Sequence, residues 1–165
     1  MAKLSHIDAG GKAKMVDVTA KDESEREAVA AARVFLNAET FATVARGEMA
    51  KGDVLTVARI AGIMAAKRTA ELVPLCHPLP LTSVGVELSL DEATRTVEIT
   101  ATARTKGRTG VEMEAMTAAS VAALTVYDMC KSADKAIRIS DIRLLRKTGG
   151  KSGSYEASEP ETRDP

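Results

Sequence analysis

Two runs of strict apolar–polar alternation, joined by a short polar turn, constrain this 165-residue chain more than any other feature. Val84, Val86, Leu88 and Leu90 alternate with Gly85, Glu87 and Ser89; Val97, Ile99, Ala101 and Ala103 alternate with Glu98, Thr100 and Thr102. Successive side chains on a strand point to opposite faces, so each run reads as a half-buried strand. Asp91 to Thr94 reads as the hairpin turn between them. An isolated hairpin is marginal in water, so its apolar face needs a cover.

The flanking sequence offers helices for that cover. Glu39 to Arg46 reads as a short helix closed by Gly47. Asp53 can cap a second helix by accepting backbone N–H groups. In that helix Val54, Val57, Ala58 and Ala61 share a face, with Ile60 and Met64 beside it. It is expected to continue towards Leu72 and stop before Pro74, where Pro74 to Pro80 make a stiff loop. Gly110 to Lys131 reads as a long helix of small residues, able to lie close against a sheet or another helix. Ile137 to Leu145 reads as a last strand, with its alternation blurred from Ile142 on. Lys14 to Val18 is a candidate short strand.

Arg26 to Leu36 stays open at this point. Its alanines favour helix, yet Ala28, Ala30, Ala32, Val34 and Leu36 also fit one face of a strand. As a strand it gives an α+β chain of order β-α-β-β-α-β, the ferredoxin-like split βαβ arrangement, with an antiparallel sheet packed on helices. As a helix it leaves a three-stranded sheet. Either way the expectation is a single domain over residues 1–153. Residues 154–165, rich in Glu and Pro, are expected to be a flexible C-terminal tail.

Composition removes several function classes. Lys plus Arg and Asp plus Glu both total 23, so the chain lacks the excess charge of a strongly basic nucleic-acid binder. Aromatic residues at 2% leave almost no platform for base stacking. Cys76 and Cys130 lie far apart and outside any CxxC pair, which disfavours a disulfide framework and a zinc ribbon. The N-terminus has no apolar run, so no signal peptide is expected. The charge-free stretch of the long helix, Ala115 to Tyr127, is shorter than the about 20 residues that span a bilayer. The expected compartment is the cytoplasm.

The long helix carries the most informative charges. Asp128 and Lys131 share a face near its C-terminus. A carboxylate there opposes the helix dipole, so Asp128 needs a cationic partner, and Lys131 is the nearest. Such a pair is either a surface ion pair or, when partly buried, a proton-transfer unit. Glu112 and Glu114 open the same helix, where acidic groups suit the dipole; they can also accept N–H donors from a guanine-like edge. Cys76 and His77 sit in the Pro-stiffened loop LVPLCHPLP, which can hold ligand-contacting groups in place. Adjacent side chains usually diverge, which disfavours a nucleophile–base pair there. His6, His77 and Cys76 lack metal-ligand spacing. Cations recur beside glycines at Lys51-Gly52, at Lys106-Gly107-Arg108 and from Lys147 to Gly153, a pattern suited to a polyphosphate ligand. Gly150-Lys151-Ser152 does not complete a P-loop, because the first glycine of that motif would fall at Leu145.

Four segments together resemble one family: LSHIDAGGKAKMVDV, KGDVLTVARIAGIMAAKRTAELVPLCHPLPLTSV, TGVEMEAMTAASVAALTVYDMCK and RLLRKTGGKSG. They are similar, in order from about Leu4 to Gly153, to the cyclic pyranopterin monophosphate synthases, the C proteins of molybdenum cofactor biosynthesis. The resemblance implies conversion of 3′,8-cyclo-7,8-dihydroguanosine 5′-triphosphate to cyclic pyranopterin monophosphate with release of pyrophosphate. The implied reaction requires no redox group or electron carrier, and no cofactor, metal-ligand set, nucleic-acid partner or membrane partner is expected. The resemblance also implies a ferredoxin-like fold, which favours the strand over Arg26 to Leu36, and a homohexamer built as a trimer of dimers with active sites at dimer interfaces. Asp128 matches the family's catalytic aspartate, Lys131 its lysine partner and Lys51 a further catalytic lysine. Leu75, Cys76 and His77 match one substrate-binding segment, and Met113 with Glu114 another. Glu112 and Lys147 match additional active-site positions, and none of these motifs departs from the family pattern.

Overall fold

In a computed structural model of the chain, which describes residues 10–151 and 153–158, the open segment is a strand, β1 (Ser24–Phe35). It lies inside the sheet. On one side it pairs antiparallel with β3 (Thr96–Gly107), which pairs in turn with β2 (Leu81–Asp91); on its other side it pairs antiparallel with β4 (Arg138–Thr148). With β5 (Tyr155–Glu156) beside β4, the order is β2-β3-β1-β4-β5. Ala28, Ala30, Ala32 and Val34 are fully buried, together with Val97, Ala101 and Ala103 of β3. Packing on this shared face overrides the helical preference of alanine. The expected ferredoxin-like α+β arrangement is therefore present.

The helices bear out the expected stop at Gly47 and the expected cap at Asp53, and Asn37 adds a cap that the sequence reading does not name. In α1 (Ala38–Ala45) the side chain of Asn37 accepts the Thr40 N–H at 2.8 Å, and Gly47 follows with φ +69°. In α2 (Val54–Ala66) Asp53 accepts the Thr56 N–H at 3.0 Å and the Thr56 hydroxyl at 2.6 Å. This helix stops at Ala66 rather than Leu72; Thr69 donates its hydroxyl to Ala66 O at 3.0 Å and opens a separate short turn, α3 (Thr69–Leu72). The expected apolar face of α2 is also corrected. Val54, Ala58, Gly62 and Ala65 face inward, whereas Val57, Ile60 and Met64 are exposed. The reason is Gly62, which lies at the closest approach to α4 (Glu112–Cys130): a Cβ there would stand 2.8 Å from Ala118 O and 3.3 Å from Ala122 Cβ. Small residues let the two helices share one layer over the sheet.

Three further expectations change. Lys14 to Val18 forms no strand; instead Val16 O takes a hydrogen bond from the His77 ring at 2.8 Å. The blurred alternation of β4 reflects two register shifts against β1 and a positive φ of 55° at Asp141, so the pattern slips by bulging. The start of the expected tail joins the sheet: β5 pairs with β4, and Ala157 N–H donates to Leu145 O at 2.7 Å. Residues 159–165 of that tail lie outside the described residues.

This topology sorts the chain into two ends. The start of β1, the end of β3, the end of β4 and the N-terminus of α4 meet at one end, because Ser24 pairs with Gly107 and Glu27 with Thr148. The end of β1, the turn into β3 and the start of β4 meet at the other, where Phe35 pairs with Thr96 and Arg138.

Candidate active site

The first end encloses a cavity of about 810 Å³. Its wall includes Leu75, Cys76, His77, Glu112, Met113, Glu114 and Lys147, all of the positions that the sequence suggests for ligand binding. The stiff loop before β2 supplies the first three, the opening turn of α4 the next three, and the end of β4 the last. Lys147 Nζ stands 3.0 Å from Glu112 Oε1, so this acid has a cation for a partner and does more than complement a dipole. Glu114 is only 4% exposed. Burial pushes its carboxyl above the usual range, and the nearby Glu112 pushes in the same direction. Burial also raises the Cys76 thiol, with Glu114 adding to it, so Cys76 is poorly suited to serve as a thiolate nucleophile.

His77 has a defined role for one nitrogen. Val16 O can only accept, so Nε2 carries the proton of their 2.8 Å bond. In the neutral ring Nδ1 is then the acceptor. The same bond ties the N-terminal segment across the cavity wall, to which it contributes Val16, Val18 and Lys21.

Arg26 is a charged residue of the cavity wall that sequence reasoning missed. Its Nε donates to Gly107 O at 2.9 Å and its Nη2 to Arg108 O at 3.2 Å, which fixes the guanidinium on the cavity wall that Lys147 and Lys151 also line. The signal was present: period-two counting puts Arg26 on the same strand face as Ala28 and Ala30, and a cation on a core-facing position needs a partner. Arg108 lines the same cavity and donates to Thr19 O at 3.1 Å.

The residues that the sequence suggests for catalysis do not line this cavity. Asp128 and Lys131 sit at the far end of α4, and Lys51 approaches them from the loop before α2. Lys131 Nζ is 2.6 Å from Asp128 Oδ1. Lys51 Nζ donates to Asp128 Oδ2 at 3.1 Å and to Asp128 O at 2.7 Å, so it also caps the negative pole of the helix. The hydrogen bond from Lys131, followed by that from Lys51, holds the Asp128 carboxyl below the usual carboxylate range; the same contact with Asp128 raises Lys131. Side-chain exposures are 42%, 56% and 52% for Lys51, Asp128 and Lys131. Within one chain this is a solvated ion-pair cluster rather than a partly buried pair.

The two groups are well separated. At about 1.5 Å rise per residue, Glu112 and Asp128 are roughly 24 Å apart along α4. A compact space of the cavity's volume is roughly 12 Å across, about half that separation.

Among the described residues no group of three or more His, Cys, Asp or Glu side chains is arranged to hold a metal ion, and His6 lies outside them. Among the same residues no helix is long and apolar enough to cross a membrane.

The fold and its cavity define a class: a ferredoxin-like α+β domain whose sheet end carries a pocket lined by cations, a buried carboxyl group and half-buried thiol and imidazole groups. The particular family follows from comparison with known proteins. The model of the MoaC family matches residues 15–150, and the chain belongs to that family. It is 61% identical over 155 residues to the cyclic pyranopterin monophosphate synthase of Heliobacterium modesticaldum, covering 94% of this chain and 98% of that protein. The protein of the same name from Roseiflexus castenholzii is 62% identical over 153 residues, covering 93% of this chain and 97% of its own. That from Brucella ovis is 57% identical over 158 residues, covering 96% of each.

Proposed function

We propose that the chain is a cyclic pyranopterin monophosphate synthase, a lyase that converts 3′,8-cyclo-7,8-dihydroguanosine 5′-triphosphate to cyclic pyranopterin monophosphate and pyrophosphate. The observation that carries this reading is the division of the cavity wall. Arg26, Arg108, Lys147 and Lys151 supply positive charge for a triphosphate, while His77, Met113 and the buried Glu114 supply a compact, partly apolar seat for a heterocycle. A carboxyl group there can meet the N–H edge of a guanine-derived ring. Ring closure on phosphorus needs a ribose hydroxyl to attack the α-phosphorus as its bond to the β-bridging oxygen breaks. The hydroxyl proton leaves to a base, and cations stabilise the departing pyrophosphate.

Asp128, Lys131 and Lys51 are the proton-handling groups in this reading. Alone in water, an Asp128 held below its usual range is a weak base. Covering the cluster with a second protomer would desolvate it and raise its basicity. The roughly 24 Å separation along α4 supports the same arrangement: the cluster of one copy serves the cavity of another. A homohexamer assembled as a trimer of dimers, working in the cytoplasm on a small-molecule substrate, fits that reading.

The test is anaerobic turnover of the cyclised dihydro-GTP, following pyrophosphate release and the oxidised pterin product, with Asp128→Asn as control. Product from the wild type alone supports both the reaction and the role of Asp128. Absence of product from folded, assembled wild type would leave a ligand-binding module instead.

A further inference from the structure

The two glycines that follow β4 share a left-handed backbone, with φ of +91° at Gly149 and +76° at Gly150, yet a side chain at each would meet a different obstacle. A Cβ at Gly149 would collide with Glu25 O, a backbone atom of β1 that cannot give way without disturbing the sheet. A Cβ at Gly150 would collide with Nη1 of Arg26, and would stand 2.9 Å from its Cζ and 3.1 Å from its Nη2. Gly149 is thus a requirement of the sheet, whereas Gly150 borders a side chain of the cavity wall.

An arginine tip ordinarily swings aside at little cost. Here it is pinned, since Nε donates to Gly107 O at 2.9 Å and Nη2 to Arg108 O at 3.2 Å. Retreat from a methyl group at position 150 would break both bonds. Planar guanidinium groups recognise phosphate through fixed paired N–H donors, so a rotation of the plane matters as much as a loss of charge.

We infer that Gly150 is a positioning residue for the phosphate chain of the substrate: its missing side chain is the slot that holds the Arg26 guanidinium in its ligand-facing pose. This rests on the reading above that the cationic wall takes the triphosphate. The glycine belongs to the segment RLLRKTGGKSG, whose P-loop reading fails on spacing. Its contribution is steric, acting through Arg26 rather than through backbone contact with phosphate.

The test uses the full-length assembled protein and four variants: Gly150→Ala, Gly153→Ala, Arg26→Lys, and Gly150→Ala combined with Arg26→Lys. Gly153 is the control for backbone strain, because its φ is +66° and a Cβ there would meet nothing within 4 Å. Inorganic tripolyphosphate binding is measured by calorimetry, alongside KM, kcat and Tm. Gly150→Ala is expected to weaken tripolyphosphate and raise KM by about tenfold, the scale of a lost charge-assisted hydrogen bond, with kcat much less affected. Its Tm should match that of Gly153→Ala, whose binding stays at the wild-type level. In the Arg26→Lys background the same glycine change should add little, because the colliding Nη1 is gone. Unchanged tripolyphosphate affinity and KM in Gly150→Ala, or an equal loss in both Arg26 backgrounds, overturns the inference. So does a crystal structure of Gly150→Ala in which Arg26 keeps both carbonyl bonds. Tripolyphosphate binding needs no turnover, so these results stand apart from the test of the reaction itself.

Discussion

Mixed assemblies of two inactive variants give the sharpest prediction. Asp128→Asn removes the acid of the far cluster, and Glu114→Gln removes the buried carboxyl of the cavity. Each alone should lower turnover by about 10²–10⁴-fold if it carries proton transfer or recognition in the transition state. If the cluster of one protomer serves the cavity of its neighbour, a working site needs an intact cavity from one chain and an intact cluster from the other. In randomly mixed assemblies at equal amounts, each condition holds for half the chains, so about a quarter of wild-type activity should return. A site contained in one chain gives no such recovery, because every chain then carries a lesion. The roughly 24 Å between Glu112 and Asp128 is the structural basis for expecting the former. Co-expression with two affinity tags isolates the mixed species, and anaerobic pyrophosphate release measures them. Verified mixed assemblies with no more activity than the two variants added together would refute the shared-site reasoning.

Other expectations are simpler to check. The Asp128 carboxyl should titrate below 3.8 by NMR in the wild type, and Lys131→Met should move it upward; its folded value is depressed, so its stabilising contribution is present above about pH 3.8 and fades as pH falls through the folded value. Glu114 carries the opposite sign. Its folded state holds the proton more tightly than the ordinary 4.5, so the wild type should lose stability as pH rises from about 4.5 through the folded value, and Glu114→Gln should remove that component of the slope in urea melts. Identical slopes in the two proteins would contradict the burial argument. Gly62→Ala should cost about 1–3 kcal/mol through overpacking against Ala118 and Ala122, read as a lower denaturation midpoint. Asp53→Ala should cost about 1 kcal/mol by removing the cap on Thr56.

Legibility in the sequence followed the physics of each element. The hairpin and the caps at Asp53 were readable because they depend on neighbours in the chain. Arg26 to Leu36 was ambiguous because alanine fits a helix by propensity and a buried strand by packing, and only the covering layer decides. The face of α2 was misjudged because apolar character favoured Val57, Ile60 and Met64, whereas the close approach to α4 required the small side of the helix. The ligand-facing residues of LCH and EME could be gathered by motif. Their neighbour Arg26 could not, because its role depends on carbonyls 81 and 82 positions away. The distance between Asp128 and the cavity was likewise implicit in the length of one helix, yet it acquires meaning only once both ends are seen together.

The buried layer of alanines leaves this domain an unequal mutational landscape. Ala28, Ala30, Ala32, Ala101, Ala103, Ala115, Ala118, Ala119, Ala122 and Ala123 are all fully enclosed. Truncation, the commonest severe lesion in a leucine-rich core, has almost no atoms to remove there. Enlargement has nowhere to go, and alanine carries no rotamers through which a neighbour could adjust. A saturation scan across the α4–sheet contact should therefore show tolerance of glycine limited by helix and strand propensity, and intolerance of valine or leucine set by volume alone. Drift in such a core is confined to trading one small residue for another, which keeps the spacing between the two ends of α4 nearly constant while the exposed faces vary.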